Sequence, residues 1–174
     1  MKLNIGGEQK KEGWKILNIQ KKEGVDFIGD ISDLSQFDES SIDEIYASHI
    51  VEHVDQNKIK KTLKGIHRIL KNDGKFYISV PDMDVLCRIF MAKEAPKKAK
   101  FHAMIMMFGG QTDKYDYHYF GWNYEFLKDY LTEAGFKDLE RVKSFGLFDD
   151  TSDFAPYDNG NGKVPISLNV IAYK

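Results

Sequence analysis

The sequence holds one cysteine, Cys87, among 174 residues. A single thiol excludes an intramolecular disulfide, and it leaves no cysteine cluster to bind structural zinc. A reducing compartment fits such a chain, so a cytoplasmic location is expected. There are only four prolines and no long polar tract, which argues against a large disordered part. No segment approaches the roughly 18 apolar residues of a membrane span. The start, Met1-Lys2-Leu3-Asn4-Ile5-Gly6-Gly7, lacks the apolar run of a signal peptide. An excess of one charge is missing too: the formal net charge is −2, and the lysine pairs at 10–11, 21–22, 60–61 and 97–98 are scattered. Neither nucleic acid nor an anionic membrane is therefore expected as a partner. The length suggests one domain over 1–174.

What is present is a series of short apolar runs and one long amphipathic stretch. Leu3-Asn4-Ile5 ends in Gly6-Gly7, and 14–19, 25–28 and 42–47 read as further strands. Lys-Lys-Glu-Gly occurs at 10–13 and 21–24. Two copies this close are turns leading into strands, not a solenoid repeat. Residues 56–71 carry Ile59, Leu63, Ile66 and Leu70, one apolar face of a helix with lysines opposite. Asn72-Asp73-Gly74 is a turn signal, and 76–80 reads as a buried strand ended by Pro81. The stretch 42–80 is thus a βαβ unit with parallel strands. Beyond it, 85–91 predicts a helix, and 101–108 is an apolar run broken by Gly109-Gly110. Asn123 is a cap for a helix with Phe126, Leu127, Tyr130, Leu131 and Ala134 on one face, and Gly135 stops it. Residues 136–145 and 166–173 read as two last strands. The polar loop between them, 149–163, allows an antiparallel pair.

Three places suit ligand chemistry. Gly6 and Gly7 follow a strand, where backbone can approach a nucleotide-like ligand, although two glycines also make a simple turn. Gly29-Asp30 closes the third strand; its carboxylate accepts from a ligand amine or caps a turn. Ser48-His49-Ile50-Val51-Glu52-His53 follows the fourth strand, at the edge where open α/β sheets bind ligands.

Taken in order, these segments resemble the class I S-adenosylmethionine-dependent methyltransferases of the type 11 kind, in particular members found among bacterial cell-surface polysaccharide genes. The resemblance rests on Leu-Asn-Ile-Gly-Gly at 3–7, Gly13-Trp14, Leu17-Asn18-Ile19, Gly29-Asp30-Ile31, the run 41–54 and Leu70-Lys71-Asn72-Asp73-Gly74. Ala134-Gly135-Phe136 resembles the family's lead into its sixth strand. The resemblance implies an α/β fold with a Rossmann-like class I sheet, mainly parallel, with an antiparallel C-terminal strand. It implies S-adenosyl-L-methionine as cofactor and a small-molecule substrate, a sugar or polysaccharide intermediate being one class. Ile5, Gly6 and Gly7 would face the methionine part, Gln20 the ribose hydroxyls, and Asp30 the adenine amine with Ile31 beside the ring. Ser48 and His49 would sit near the sulfonium and the substrate.

Three departures stand out. Glu8 takes the place of the loop's last glycine, and Gln20 that of an acid, bringing an amide without charge. The linkers 6–14 and 20–24 are too short for crossover helices. Local rules would make 15–28 a hairpin; the resemblance keeps the strands parallel through short extended crossovers. One sheet face then lacks helices. Either 84–120 folds over it or a homodimer covers it, the dimer being preferred because 84–120 also reads as a lid over the site.

Methyl transfer is mostly alignment, since the sulfonium is already electrophilic. An oxygen nucleophile gains from a general base, and His49 and His118 are the candidates. His53 reads as an anchor for the helix start, and His67 and His102 as structural. His49-x-x-Glu52-His53 also matches an inverted zinc-protease motif. It follows a strand in a short βαβ unit with no obvious further ligand, and the similar Glu-x-x-Glu-His metal site of some RNA-terminal methyltransferases is unsupported by the charge balance, so no metal is expected. A dinucleotide oxidoreductase is disfavoured because Gly-x-Gly-x-x-Gly is absent. The alternative from another class is a methyltransferase-like binding or scaffold protein without turnover, which Glu8 and Gln20 would suit.

Overall fold

A computed structural model describes residues 1–158 and 162–174. The chain runs β1 (Lys2–Ile5), β2 (Trp14–Asn18), β3 (Phe27–Ile28), β4 (Ile42–Ser48), α1 (Gln56–Ile69), β5 (Leu70–Pro81), α2 (Met83–Met91) and α3 (Lys97–Phe108). It continues through α4 (Tyr124–Ala134), β6 (Asp138–Val142), a short pair β7 (Tyr157–Asp158) and β8 (Lys163–Val164), and β9 (Ser167–Tyr173). One seven-stranded sheet has the order β3-β2-β1-β4-β5-β9-β6. Only β9 runs against its neighbours, pairing antiparallel with both β5 and β6. The α/β, Rossmann-like class I sheet with an antiparallel C-terminal strand is therefore the fold. Residues 159–161, within the polar loop expected at 149–163, lie outside the described residues. Among the described residues no helix is long and apolar enough to cross a membrane.

The first three strands are parallel despite crossovers without a helix. Gly13 and Gly24 sit at φ +79° and +88°, turning the chain tightly before β2 and β3. Asp26 secures the second crossover. Its carboxylate accepts Ile16 N at 2.9 Å and Lys15 Nζ at 2.8 Å, and its own N–H donates to Ile16 O. These bonds hold it below the usual carboxylate range.

One sheet face carries the main core. Leu3, Ile5, Leu17, Ile45, Phe76 and Val170 meet Ile59, Leu63 and Ile66 of α1 and Leu127 and Leu131 of α4. The helix spacing read from the sequence is the buried face of α1. Asn123 caps α4 by accepting Phe126 N, and Gly135 closes it in the left-handed region. Phe126 departs from the expected apolar face and stays half exposed. The turn expected at 72–74 is a correction. The strand runs through it, and the register against β4 shifts between Ile42 and Glu44, so the polar residues form a bulge.

The opposite face corrects another expectation. Among the described residues no α-helix covers it; a 3-10 turn at Thr151–Asp153 and the segment before it do. Phe145, Leu147 and Phe148, beyond β6, pack on Trp14, Tyr46 and Tyr77, with Tyr46 and Phe148 ring centroids 4.7 Å apart. Ile16 is also buried on this face, and the outer part of the face is polar. Lys2 pairs with Glu44 at 2.9 Å, and Lys2 and Lys75 lie over Trp14 and Tyr173. Strand side chains alternate between faces, and this register puts charge where helices would otherwise demand apolar residues. Residues 84–120 instead build a satellite core from Leu86, Ile89, Ala103 and Ile166. This excursion is closed at its base where Met83 N donates to Trp122 O at 2.8 Å.

Candidate functional site

The carboxyl ends of β1 and β2, with the turns after β3 and β4, enclose a cavity of about 500 Å³. That is a small-molecule volume, within the roughly 300–1,000 Å³ of ligand pockets. Ile5, Gly6, Gln20, Asp30 and Ile31 line it together. Gly7 and Ser48 do not. They face a neighbouring cleft with Asp150, to which Ser48 Oγ donates at 3.3 Å. Ile5, Gly6 and Glu8 border both spaces, so the glycine loop is the wall between them.

That loop is built for close approach. Gly6 adopts φ +77°, and a Cβ there would lie 2.1 Å from Ile50 Cδ1. Its N–H donates to Leu17 O at 2.7 Å. Asn18, buried at the end of β2, donates to Gly6 O and Gly7 O at 3.4 Å and accepts Gln20 N at 2.9 Å. It thereby ties the loop to the residue expected to face the ribose. Glu8 does not fill the loop, because it pairs with Lys22 at the cavity rim. Asp30 Oδ1 accepts Ser32 N at 2.8 Å, an Asx turn that fixes the carboxylate at the cavity. A nucleoside-shaped ligand with a charged tail fits this set: an apolar Ile31, a carboxylate, an amide and a backbone loop without side chains.

The histidines are arranged differently from the expectation. His49 sits at φ +53°, an uncommon conformation for a non-glycine residue. Its side chain is 9% exposed and lines neither space, and Nε2 meets Ser167 Oγ at 2.8 Å. Burial pulls its pKa down to about 3, with His118 adding to the effect. His118 also stays behind the wall, its Nδ1 2.9 Å from Met106 O; burial, reinforced by His53, lowers it to about 4. The histidine that reaches the cavity is His53. It does not anchor the helix start: Asp55 caps α1, accepting Asn57 N at 2.8 Å. Glu52 is fully buried with both carboxylate oxygens lacking a hydrogen-bond partner, and burial raises it to about 8. The aromatic stretch 115–122 that carries His118 arrives here, as Tyr119 N donates to Glu52 O at 2.8 Å.

Sequence reasoning missed Asn18, Tyr115 and Tyr119 as parts of this neighbourhood. Asn18 stood inside a quoted motif, and the two tyrosines flank a flagged histidine. The tyrosines converge through the Tyr119 N–Glu52 O backbone bond and the bond from His53 Nδ1 to Tyr117 O, which no local pattern announces.

Comparison with known proteins places this geometry. Residues 7–78 match the family model described as a methyltransferase domain. No curated protein matches the sequence. Among solved structures, a SAM-dependent methyltransferase from Archaeoglobus fulgidus aligns with a TM-score of 0.63 at 19% identity, covering 99% of this chain and 85% of that one. A possible histamine N-methyltransferase from Thermotoga maritima gives 0.61 at 18% identity, covering 99% and 81%. The 1,6-didemethyltoxoflavin-N1-methyltransferase of Burkholderia thailandensis, solved with its substrate and S-adenosylhomocysteine, gives 0.59 at 16% identity, covering 99% and 70%. At these identities the likeness establishes the fold.

Proposed function

We propose that this chain, a methyltransferase that takes S-adenosylmethionine as its methyl donor, carries the methyl group to a small-molecule acceptor, with sugar intermediates of cell-surface polysaccharides as the first class to test. One observation carries the reading: a single cavity joins Gly6, Gln20, Asp30 and Ile31 to His53, Tyr115 and Tyr119. The bound cofactor supplies an electrophilic methyl group. Asp30 accepts from the adenine amine, Ile31 packs on the ring, and Gln20 bonds the ribose hydroxyls. Gly6 leaves room for the methionine part, and Gly7 and Ser48 act from the neighbouring cleft, through the loop they share. Tyr115 and Tyr119 form the acceptor end, with 84–120 as its lid. His49 and His118 act on the acceptor side through His53 and do not touch it.

The scaffold alternative rests on Glu8, Gln20 and the missing crossover helices, and it loses the first of these because Glu8 pairs with Lys22 at the cavity rim and leaves the glycine loop open. Calorimetric titration with S-adenosylhomocysteine tests both readings, and saturable binding is expected. Asp30→Ala should weaken it by about 1–3 kcal/mol, the cost of losing a charged hydrogen bond. Equal affinity in that variant would remove Asp30 from the site, and no binding to the wild type would leave the scaffold reading.

The homodimer was motivated by a bare apolar face. With that face dressed by the Lys2–Glu44 pair and covered by Phe148, the proposed state is a monomer. Light scattering across a dilution series should give the one-chain mass throughout; a doubled mass at high micromolar concentration would restore the dimer.

A further inference from the structure

The unpartnered carboxylate of Glu52 stands beside three imidazoles, and their hydrogen bonds leave each with a lone pair. His53 Nδ1 lies 3.1 Å from Tyr117 O, and His118 Nδ1 lies 2.9 Å from Met106 O. A carbonyl oxygen only accepts, so each Nδ1 carries the hydrogen and each Nε2 keeps its lone pair. Ser167 Oγ donates its only hydrogen to Thr151 O at 2.7 Å. The hydroxyl must therefore accept from His49 Nε2, and the lone pair of His49 is left on Nδ1, 3.6 Å from Glu52 Oε1. The imidazole lone pairs and the two Glu52 oxygens gather here, and no protein group bonds the carboxyl. A buried carboxyl without a partner is costly, and a cation bound by its ionised form removes the cost.

We propose that Glu52, His53 and His118 hold a divalent transition-metal ion, with His49 beside the carboxylate to complete a tetrahedral set. Ligand atoms of the first three lie within 4.8 Å of one another. Zinc bonds of roughly 2.0–2.2 Å put tetrahedral donors about 3.4 Å apart, so the side chains close by about 1 Å when the ion enters. Imidazole nitrogens with one carboxylate favour zinc over magnesium or calcium, which prefer all-oxygen ligands. The backbone carbonyls of Met106 and Tyr117 and the Ser167 hydroxyl are the outer partners that metal-binding histidines use to fix ring and tautomer. The His-x-x-Glu-His motif lacked a further ligand in the sequence; His118 supplies it, brought back by the Tyr119–Glu52 backbone bond. The site borders the acceptor side of the proposed methyl-transfer cavity, which His53 lines, but metal binding by the stripped chain is read without cofactor or acceptor.

The test uses the full chain stripped of metal. Titration with zinc(II) is followed by calorimetry, and with cobalt(II) by the visible absorption of tetrahedral cobalt. One ion per chain is expected, with a rise in Tm on loading. Glu52→Gln and His118→Ala should each weaken binding by about a hundredfold or more, the cost of losing a direct ligand exceeding that of an outer partner. Circular dichroism and S-adenosylhomocysteine affinity should stay unchanged, so a failed metal site is distinguishable from a failed cofactor site. Should Glu52→Gln not fold, His118→Ala carries the test. Absence of zinc and cobalt binding by the wild type, or binding that survives His118→Ala, overturns the proposal.

Discussion

Trp122→Ala should destabilise the protein by about 3–5 kcal/mol, the range for removing a large aromatic from a packed core. Trp122 is fully buried, with Phe120 at 4.4 Å and Tyr130 at 5.4 Å between ring centroids. Its backbone also closes the base of the 84–120 excursion, accepting from Met83 N. The cavity would therefore open where the excursion joins the sheet. In a chain of this size the loss corresponds to roughly 2–4 °C of Tm per kcal/mol, measured by thermal denaturation. Trp122→Phe should cost less. It keeps a ring in place and removes an indole N–H that has no hydrogen-bond partner. Equal losses in the two variants would show that indole shape, not buried volume, holds this junction.

Gly109→Ala should cost about 2–6 kcal/mol, and the damage should be local. Gly109 has φ +83° and ψ 161°, a region essentially reserved for glycine that costs other residues about 1–3 kcal/mol. The added Cβ would also lie 2.3 Å from Asp116 O, a backbone atom fixed by Gln111 N at 2.9 Å. Overpacking against backbone adds about 1–3 kcal/mol. Gly110 is the control. Its φ is not left-handed, and its Cβ would meet only the Asp116 carboxylate, which can swing away. Hydrogen exchange should show the Tyr119 and Gln111 amides opening in Gly109→Ala while β4 and β5 stay protected. Unchanged exchange at Tyr119 would mean that the turn at 109–116 does not position the segment carrying His118.

Much of the fold was legible because its signals are local. The apolar spacing of Ile59, Leu63 and Ile66, the Asn123 cap and the Gly135 stop each report on their own few residues. The parallel arrangement of 14–28 was not legible locally. A short link between two strands favours a hairpin, and the parallel pairing followed from resemblance alone. The structure supplies the physical reason in Asp26, whose side chain and backbone both bond β2. The Asn72-Asp73-Gly74 signal misled because a bulge and a turn use the same residues, and pairing with β4 selected the bulge.

By itself the sequence determined the strand and helix segments of the βαβ unit and the glycines after β1, while the resemblance grouped Ile5, Gly6, Gln20, Asp30 and Ile31, which line one cavity. These follow from residue type and periodicity, or from motif order along the chain. Only the tertiary structure decided which side chains share a buried volume. It put His53, not His49 or His118, at the cavity, and it separated Gly7 and Ser48 from Gln20, Asp30 and Ile31. It also set an unpartnered Glu52 beside His118, from a segment far along the chain. The reason is that burial and hydrogen-bond partnership belong to pairs of segments. The tautomers of His49, His53 and His118 are set by Ser167, Tyr117 and Met106, and no reading of residues 49–53 alone contains those partners.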